Sequence, residues 1–276
     1  MAIRTWTGEE DGDWGESSNW AEESVPISGD DVFFTSGSVD VTTGLDQDGI
    51  VLTSLNFGPK WTGSIDGLII GATSLDYSST SGTADIEGTF TTVNVQATST
   101  DDPALTFTDA TISTLNITGG NGTIKVDGGG STLDGSVNMI GCTSAKLEIA
   151  INVDASADLI MDAGTLLTYE ELDSVSIYGG VAEIENSTGT LPALNVYGGT
   201  CKYAPTGAAI ITAVTIYGGT LDMTDCTAPS HTITDCTLYA GGTLDERNGL
   251  SNAIYTNPIV GGGLVKCDIG REITIT

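Results

Sequence analysis

The chain predicts an all-β fold, a right-handed parallel β-helix of about 20-residue coils behind a tryptophan-rich N-terminal cap. Three observations carry that expectation. A short apolar phrase followed by glycines recurs at a nearly constant period through most of the 276 residues. Inside each copy the apolar residues alternate with polar ones, the two-residue period of a strand with one buried face. The composition has 37 Gly and only 16% charged residues. Helical bundles are normally richer in Glu, Lys and Arg, and disordered acidic chains are poorer in β-branched residues.

Residues 1–48 read as the cap. Three of the four tryptophans, Trp6, Trp14 and Trp20, lie here, beside the acidic run Glu9-Glu10-Asp11-Gly12-Asp13. A solenoid needs a cap because its first coil would otherwise expose the apolar interior and an open strand edge. The same three tryptophans are the candidate residues for docking a partner. The acidic run lacks the ligand spacing of an EF-hand loop. The expectation is therefore no cofactor and no dedicated metal site, with opportunistic Ca²⁺ the most the cap offers.

Residues 49–276 carry the repeat. It is clearest as Val175-Ser176-Ile177-Tyr178-Gly179-Gly180, Leu194-Asn195-Val196-Tyr197-Gly198-Gly199, Val214-Thr215-Ile216-Tyr217-Gly218-Gly219 and Cys236-Thr237-Leu238-Tyr239-Ala240-Gly241-Gly242. Upstream it returns as Leu55-Asn56-Phe57, Val93-Asn94-Val95, Leu115-Asn116-Ile117, Val137-Asn138-Met139 and Leu159-Ile160-Met161. A second alternating segment follows the glycines, as in Ala182-Glu183-Ile184, Cys201-Lys202-Tyr203 and Leu221-Asp222-Met223. A unit this short cannot bury its apolar face alone. Stacked in parallel, each coil rising one strand spacing, about ten or eleven such units bury it together.

Stacking places like positions above one another. The outward residue of the second strand reads Glu183, Lys202, Asp222, Asp245, Lys266, with opposite charges at every step except Asp222 to Asp245. Opposite-charge pairs across strands contribute roughly 0.2–1 kcal/mol each and like pairs destabilise. The scarce lysines are thus expected to fix register, Lys125 fitting the column less well. Tyr178, Tyr197, Tyr217 and Tyr239 form a second outward column, either a self-stacking ladder or a stripe for a subunit or partner. Asn56, Asn94, Asn116, Asn138 and Asn195 mark an amide ladder beside it.

The charge excludes whole classes of partner. With 37 Asp plus Glu against 8 Lys plus Arg, a net charge of -29, the chain cannot neutralise phosphates. Nucleic acid and anionic membrane surfaces are therefore not expected partners. No stretch approaches the ~20 apolar residues that span a bilayer, and Met1–Trp6 has no apolar signal core, so production in a cytoplasm is expected. Five cysteines, an odd number without short paired spacing, read as small buried residues. His231, the one histidine, lies between two copies of Thr-Asp-Cys-Thr and reads as a loop residue. Glycoside hydrolysis needs two carboxylates on one face and a platform for sugar. The pairs Asp101-Asp102, Glu170-Glu171 and Asp245-Glu246 are what chance gives among 37 acids, so no enzyme is expected.

Trp6-Thr7-Gly8, Trp14, Asn19-Trp20, Pro26 and Asp30-Asp31-Val32 together resemble the W-x-G…W…N-W…P…D-x-V opening ahead of β-helical stalks in autotransporter-like surface proteins and phage virion proteins. The resemblance covers about 30 residues, includes no catalytic residue, and lacks the export signal and membrane barrel of autotransporters. It implies a capping segment; taken with the expected cytoplasmic production, the lack of a catalytic set and a rod short enough to stand on a shell, the expectation is a structural virion protein, a capsid decoration or cement protein on the virion surface. Its expected partner is the major capsid protein or another virion protein, with the chain itself a homo-oligomer, a trimer. The alternatives are a tail-fibre or cell-surface adhesin that binds glycan, outside the cell, and then a polysaccharide-degrading β-helix.

Overall fold

The computed structural model describes residues 1–96, 103–142, 144–170, 172–185, 189–227, 230–247, 252–268 and 273–275. The pair Asp101-Asp102 and Glu171 lie outside them. The fold is an all-β parallel solenoid with almost no helix. The chain divides into two compact units, Met1–Val137 with Cys142–Asp154, and Asn138–Gly141 with Ala155–Thr276.

In the first unit strand pairing begins inside the N-terminal segment. Ile3–Thr5 pairs in parallel with Asp31–Gly37, which pairs with Asp46–Trp61. The sequence boundary at residue 48 is therefore not a break in the ladder. Val32, Leu55, Leu75, Val93 and Leu115 follow one another in register and are all buried. Trp6, Trp14 and Trp20 sit at the open end of that column and meet Phe34 at ring-centroid distances of 5.9, 6.0 and 6.3 Å. Phe34 in turn stacks on Phe57 at 4.9 Å. Large rings fill a wide first coil that aliphatic side chains would leave void.

The cap loop is organised by Asn19, which is fully buried. Its Oδ1 accepts from the Glu10 and Asp11 amides, and its Nδ2 donates to Asp11 Oδ1 and the Asp13 carbonyl. All four hydrogen-bonding positions of the amide are used, as burial of so polar a group requires. Asp30 closes the other side: it accepts from the Ala2 amide at 3.0 Å and pairs with Arg4 Nε at 3.0 Å. Outside this coil, Asn56, Asp76, Asn94 and Asn116 form the polar ladder, with Asn94 donating to Asp76 at 2.8 Å and Asn116 to Asn94 at 2.9 Å.

The second unit has the more regular coils. Leu159, Val175, Leu194, Val214 and Cys236 are successive in-register residues on the inner face of one sheet. Ala182, Cys201, Leu221 and Leu244 do the same on the next. The step from Leu159 to Val175 is 16 residues, shorter than the 19, 20 and 22 of the steps that follow it. Cys142, Cys201, Cys226 and Cys236 are buried, while Cys267 is exposed; all five are free thiols. Burial pushes the Cys201 thiol up to about 12 and the Cys236 thiol up to about 11, so both remain protonated and behave as apolar filling.

Candidate functional site

The second unit presents two different outer surfaces. Strands Val181–Ile184, Thr200–Tyr203, Thr220–Asp222, Thr243–Asp245 and Leu264–Lys266 each carry one charged residue of the column expected from the sequence. Glu183 lies 4.0 Å from Lys202, and Lys266 lies 3.5 Å from Asp245. Asp245 keeps its place in the column, in register with Asp222 and Lys266, but is buried there beneath Arg247 and Lys266. Arg247 hydrogen-bonds it at 2.7 and 2.9 Å and holds its carboxyl down at about 2, with Lys266 adding to the effect. These two cations offset the Asp222–Asp245 like-charge step. In the first unit Lys125 pairs along its own strand with Asp127 and Lys146 with Glu148, and Glu148 also stands in register with Lys125 one coil away.

The other surface is formed by strands Ser174–Ile177, Gly189–Val196, Ala209–Ile216, Ser230–Tyr239 and Asn252–Gly261. These contain one carboxylate, Asp235, and no Lys or Arg. Two outward columns run across it in register: Ser176, Asn195, Thr215, Thr237 and Ile259, and Ala193, Ala213, Asp235 and Asn257. Ile210 stands 45% exposed among them. In a chain of net charge -29, this is a large sheet surface left almost without charge.

Tyr178, Tyr197, Tyr217 and Tyr239 run along the edge of this face. Their ring centroids are 4.4, 4.6 and 4.9 Å apart, their planes lie within 7° of parallel, and each is 38–53% exposed. The backbone places them: Ile177, Val196, Ile216 and Leu238 point inward in register, so the following residue points out. The ladder stacks on itself, at roughly 0.5–1.5 kcal/mol per pair beyond area burial. Burial, then the neighbouring Tyr178 and Tyr217 phenols, push the Tyr197 hydroxyl up, which keeps it neutral. Stacking also decides what the rings can bind. A sugar packs on a ring face, and the faces inside the ladder cover one another; edges and hydroxyls remain.

A polar cluster lies inside the last coils, and the sequence reading missed it. His231 is not a loop residue. It belongs to strand Ser230–Tyr239, in register with Ala209, and is buried. Its Nε2 is 3.3 Å from Glu246 Oε1 and its Nδ1 is 3.7 Å from Cys226 Sγ; the Tyr255 hydroxyl donates to the same Glu246 oxygen. Burial pulls the imidazole pKa down, but contact with Cys226 and with the Glu246 carboxylate outweighs it and raises the value to about 9. The side chains are disposed like a nucleophile, base and orienting acid. Cys226, His231 and Glu246 are all essentially inaccessible, however, so no substrate reaches the thiol.

This cluster sets a pH dependence. The histidine pKa is 6.5 unperturbed and about 9 folded. A raised pKa means the folded state holds the proton more tightly, so the stabilisation is complete below about 6.5 and is lost as pH rises through 9. The expected loss, on the order of 3 kcal/mol, is read as the difference in unfolding free energy between wild type and His231→Gln across that window. Parallel curves for the two proteins would contradict it.

The other candidates are placed as follows. Trp6, Trp14 and Trp20 are buried, and Trp20 donates to the Trp14 carbonyl at 2.9 Å. As side chains they fill the solenoid's first coil and are withheld from the surface, where residues of the acidic loop lie exposed instead. In that loop Asp11 is held by Asn19, and among the described residues no three His, Cys, Asp or Glu groups converge as metal ligands would. Asp66 stacks on Asp85 in register beside an open depression of about 370 Å³. Burial first, then the Asp66 and Asp127 charges, raise the Asp85 carboxyl. The depression is lined by Ser64, Thr83, Pro103 and Thr106 with no aromatic platform. Among the described residues no helix is long and apolar enough to cross a membrane. No family model, curated protein or solved structure matches the chain.

Proposed function

We propose that the protein is a non-enzymatic structural component whose work is assembly. The observation that carries this reading is the uncharged, tyrosine-edged face of the second unit. Charge is what keeps a sheet surface solvated and apart from other proteins, and here it is withheld from one side while the adjoining strands keep theirs. Interface cores are likewise depleted of charge and enriched in tyrosine. The enclosed Cys226–His231–Glu246 cluster and the open acidic depression without a sugar platform do not supply a competing catalytic site.

The setting we propose is a phage capsid, with the protein as a decoration or cement protein that binds capsid or other virion proteins. That step is supported by the likeness of the Trp6 to Val32 phrase to the openings of virion proteins. The test is sedimentation of purified protein with intact virions, and the heat and osmotic resistance of capsids with and without it. Saturable co-sedimentation and a loss of resistance in its absence are expected. Capsids that neither bind the protein nor change their resistance would remove the capsid setting.

A further inference from the structure

We infer that the uncharged face is occupied by a second copy of this chain, in a weak two-fold contact. The inference rests on the reading of that face as an assembly surface and names its partner. The first argument is charge. Two chains of net charge -29 repel over most of their surfaces, and the five strands bearing only Asp235 form the side on which they can meet at least electrostatic cost. A strongly basic partner, by contrast, would be drawn to the acidic surfaces and not to this one. The second argument is period. Outward columns such as Ser176, Asn195, Thr215 and Thr237 repeat once per coil, about 4.8 Å. A second copy carries the same period, so its columns and hydroxyl rows match without adjustment. In a two-fold contact the patch meets itself, and a patch of Ser, Thr, Asn, Ala and Tyr is self-complementary because hydroxyls and amides both donate and accept.

Size sets the strength. The inward side chains change parity between Ile211 and Val214, so the strands bend there, and the strip that carries Ser176, Asn195, Thr215 and Thr237 is about 13 Å along the strands and five strands deep, on the order of 300 Å² per copy, below the usual size of specific interfaces. The association is therefore concentration-dependent and strengthened by salt, which screens the repulsion between the acidic remainders.

Sedimentation equilibrium of the full chain, from micromolar to near-millimolar and at low and high salt, measures this directly. Reversible dimerisation that tightens with salt is expected. Thr215→Glu, an outward substitution at the centre of the face, is expected to weaken it about tenfold or more through like charges facing one another. Asp235→Asn is expected to tighten it severalfold. The near-ultraviolet circular dichroism of the stacked tyrosines checks that each variant keeps its fold. A monomer at every concentration in high salt overturns the inference, as does a dimer indifferent to Thr215→Glu. If the wild type stays monomeric while Thr215→Glu abolishes virion binding, the face belongs to a virion protein instead, and the assembly reading survives without the second copy. A wild type that dimerises but ignores virions leaves this inference standing and removes the capsid setting.

Discussion

His231→Ala is expected to lower stability by about 3–5 kcal/mol, among the largest effects of any single side chain. The reason is what it leaves behind. Glu246 has no solvent exposure, and the imidazole 3.3 Å from its Oε1 is the cation that faces it among the described residues. Removing the imidazole leaves the carboxylate in a low-dielectric interior with the Tyr255 hydroxyl as a neutral donor. Glu246→Gln, which removes the charge and keeps the shape, should cost less than His231→Ala at neutral pH. Replacing both together, as His231→Leu with Glu246→Met, should come close to wild type, because apolar substitutes avoid desolvating either charge. Urea unfolding of wild type, His231→Leu, Glu246→Met and the double variant forms the necessary cycle. Additive costs in the double variant would mean that the two groups do not interact, and a His231→Ala cost under about 1 kcal/mol would mean that Glu246 is not ionised in the fold. Such a pair contributes little net stability while intact. Its consequence is that the coils joining strand 230–239 to residues 245–247 have one low-energy register, since a slipped coil would bury the charges apart.

That pair also shows where sequence legibility stopped. Strand parity and the glycine-punctuated period are local signals, and they placed Leu194 over Val214, Cys201 over Leu221 and Glu183 beside Lys202, as the structure has them. The tyrosine column followed from the same parity. His231 did not, because the rule that polar residues face out has no term for two polar groups that satisfy each other across the interior of a coil. A signal was present: continuing the inward column from Ala209 lands on His231, and an alanine in the coil above leaves room for an imidazole. Glu246 sat in the pair Asp245-Glu246, which composition alone made unremarkable, and both members turn out to be buried. The tryptophans failed in the opposite direction. Their place in a cap was legible, but a cap must fill the first coil before it can meet a partner, and the rings are consumed by Phe34 and one another. The net charge says nothing of where the charges lie; in the structure the five strands beside the tyrosines contain one carboxylate, Asp235.

Gly199→Ala is expected to be as damaging as the loss of the histidine, through backbone geometry alone. Gly199 has φ +68°, and a Cβ there would stand 2.5 Å from the Gly180 carbonyl oxygen and 2.8 Å from the Gly179 carbonyl carbon. The positive φ by itself costs an alanine on the order of 1–2 kcal/mol. The contact adds about 1–3 kcal/mol, since the atoms in the way are backbone of the coil above, hydrogen-bonded where the Thr200 amide meets the Gly180 carbonyl. They cannot rotate aside as a side chain could, so the coils must part locally. Gly241 supplies the control. Its φ is +98°, yet its Cβ would meet nothing nearer than the Tyr217 carbonyl oxygen at 3.7 Å. Gly241→Ala therefore carries the conformational cost without the collision, and the difference between the two variants isolates the close approach. Equal costs would show that the coils are not held at this spacing. The same experiment has a second readout, because Tyr197 stacks on Tyr178 at 4.4 Å only while the glycines between them keep the coils together. Gly199→Ala should weaken the near-ultraviolet signal of the ladder, whereas Tyr197→Ser should remove the stacking and leave the coil spacing intact. The paired glycines thus come before the tyrosines in the causal order: the turn permits the approach, the approach brings the rings into contact, and the contact makes the edge of the uncharged face.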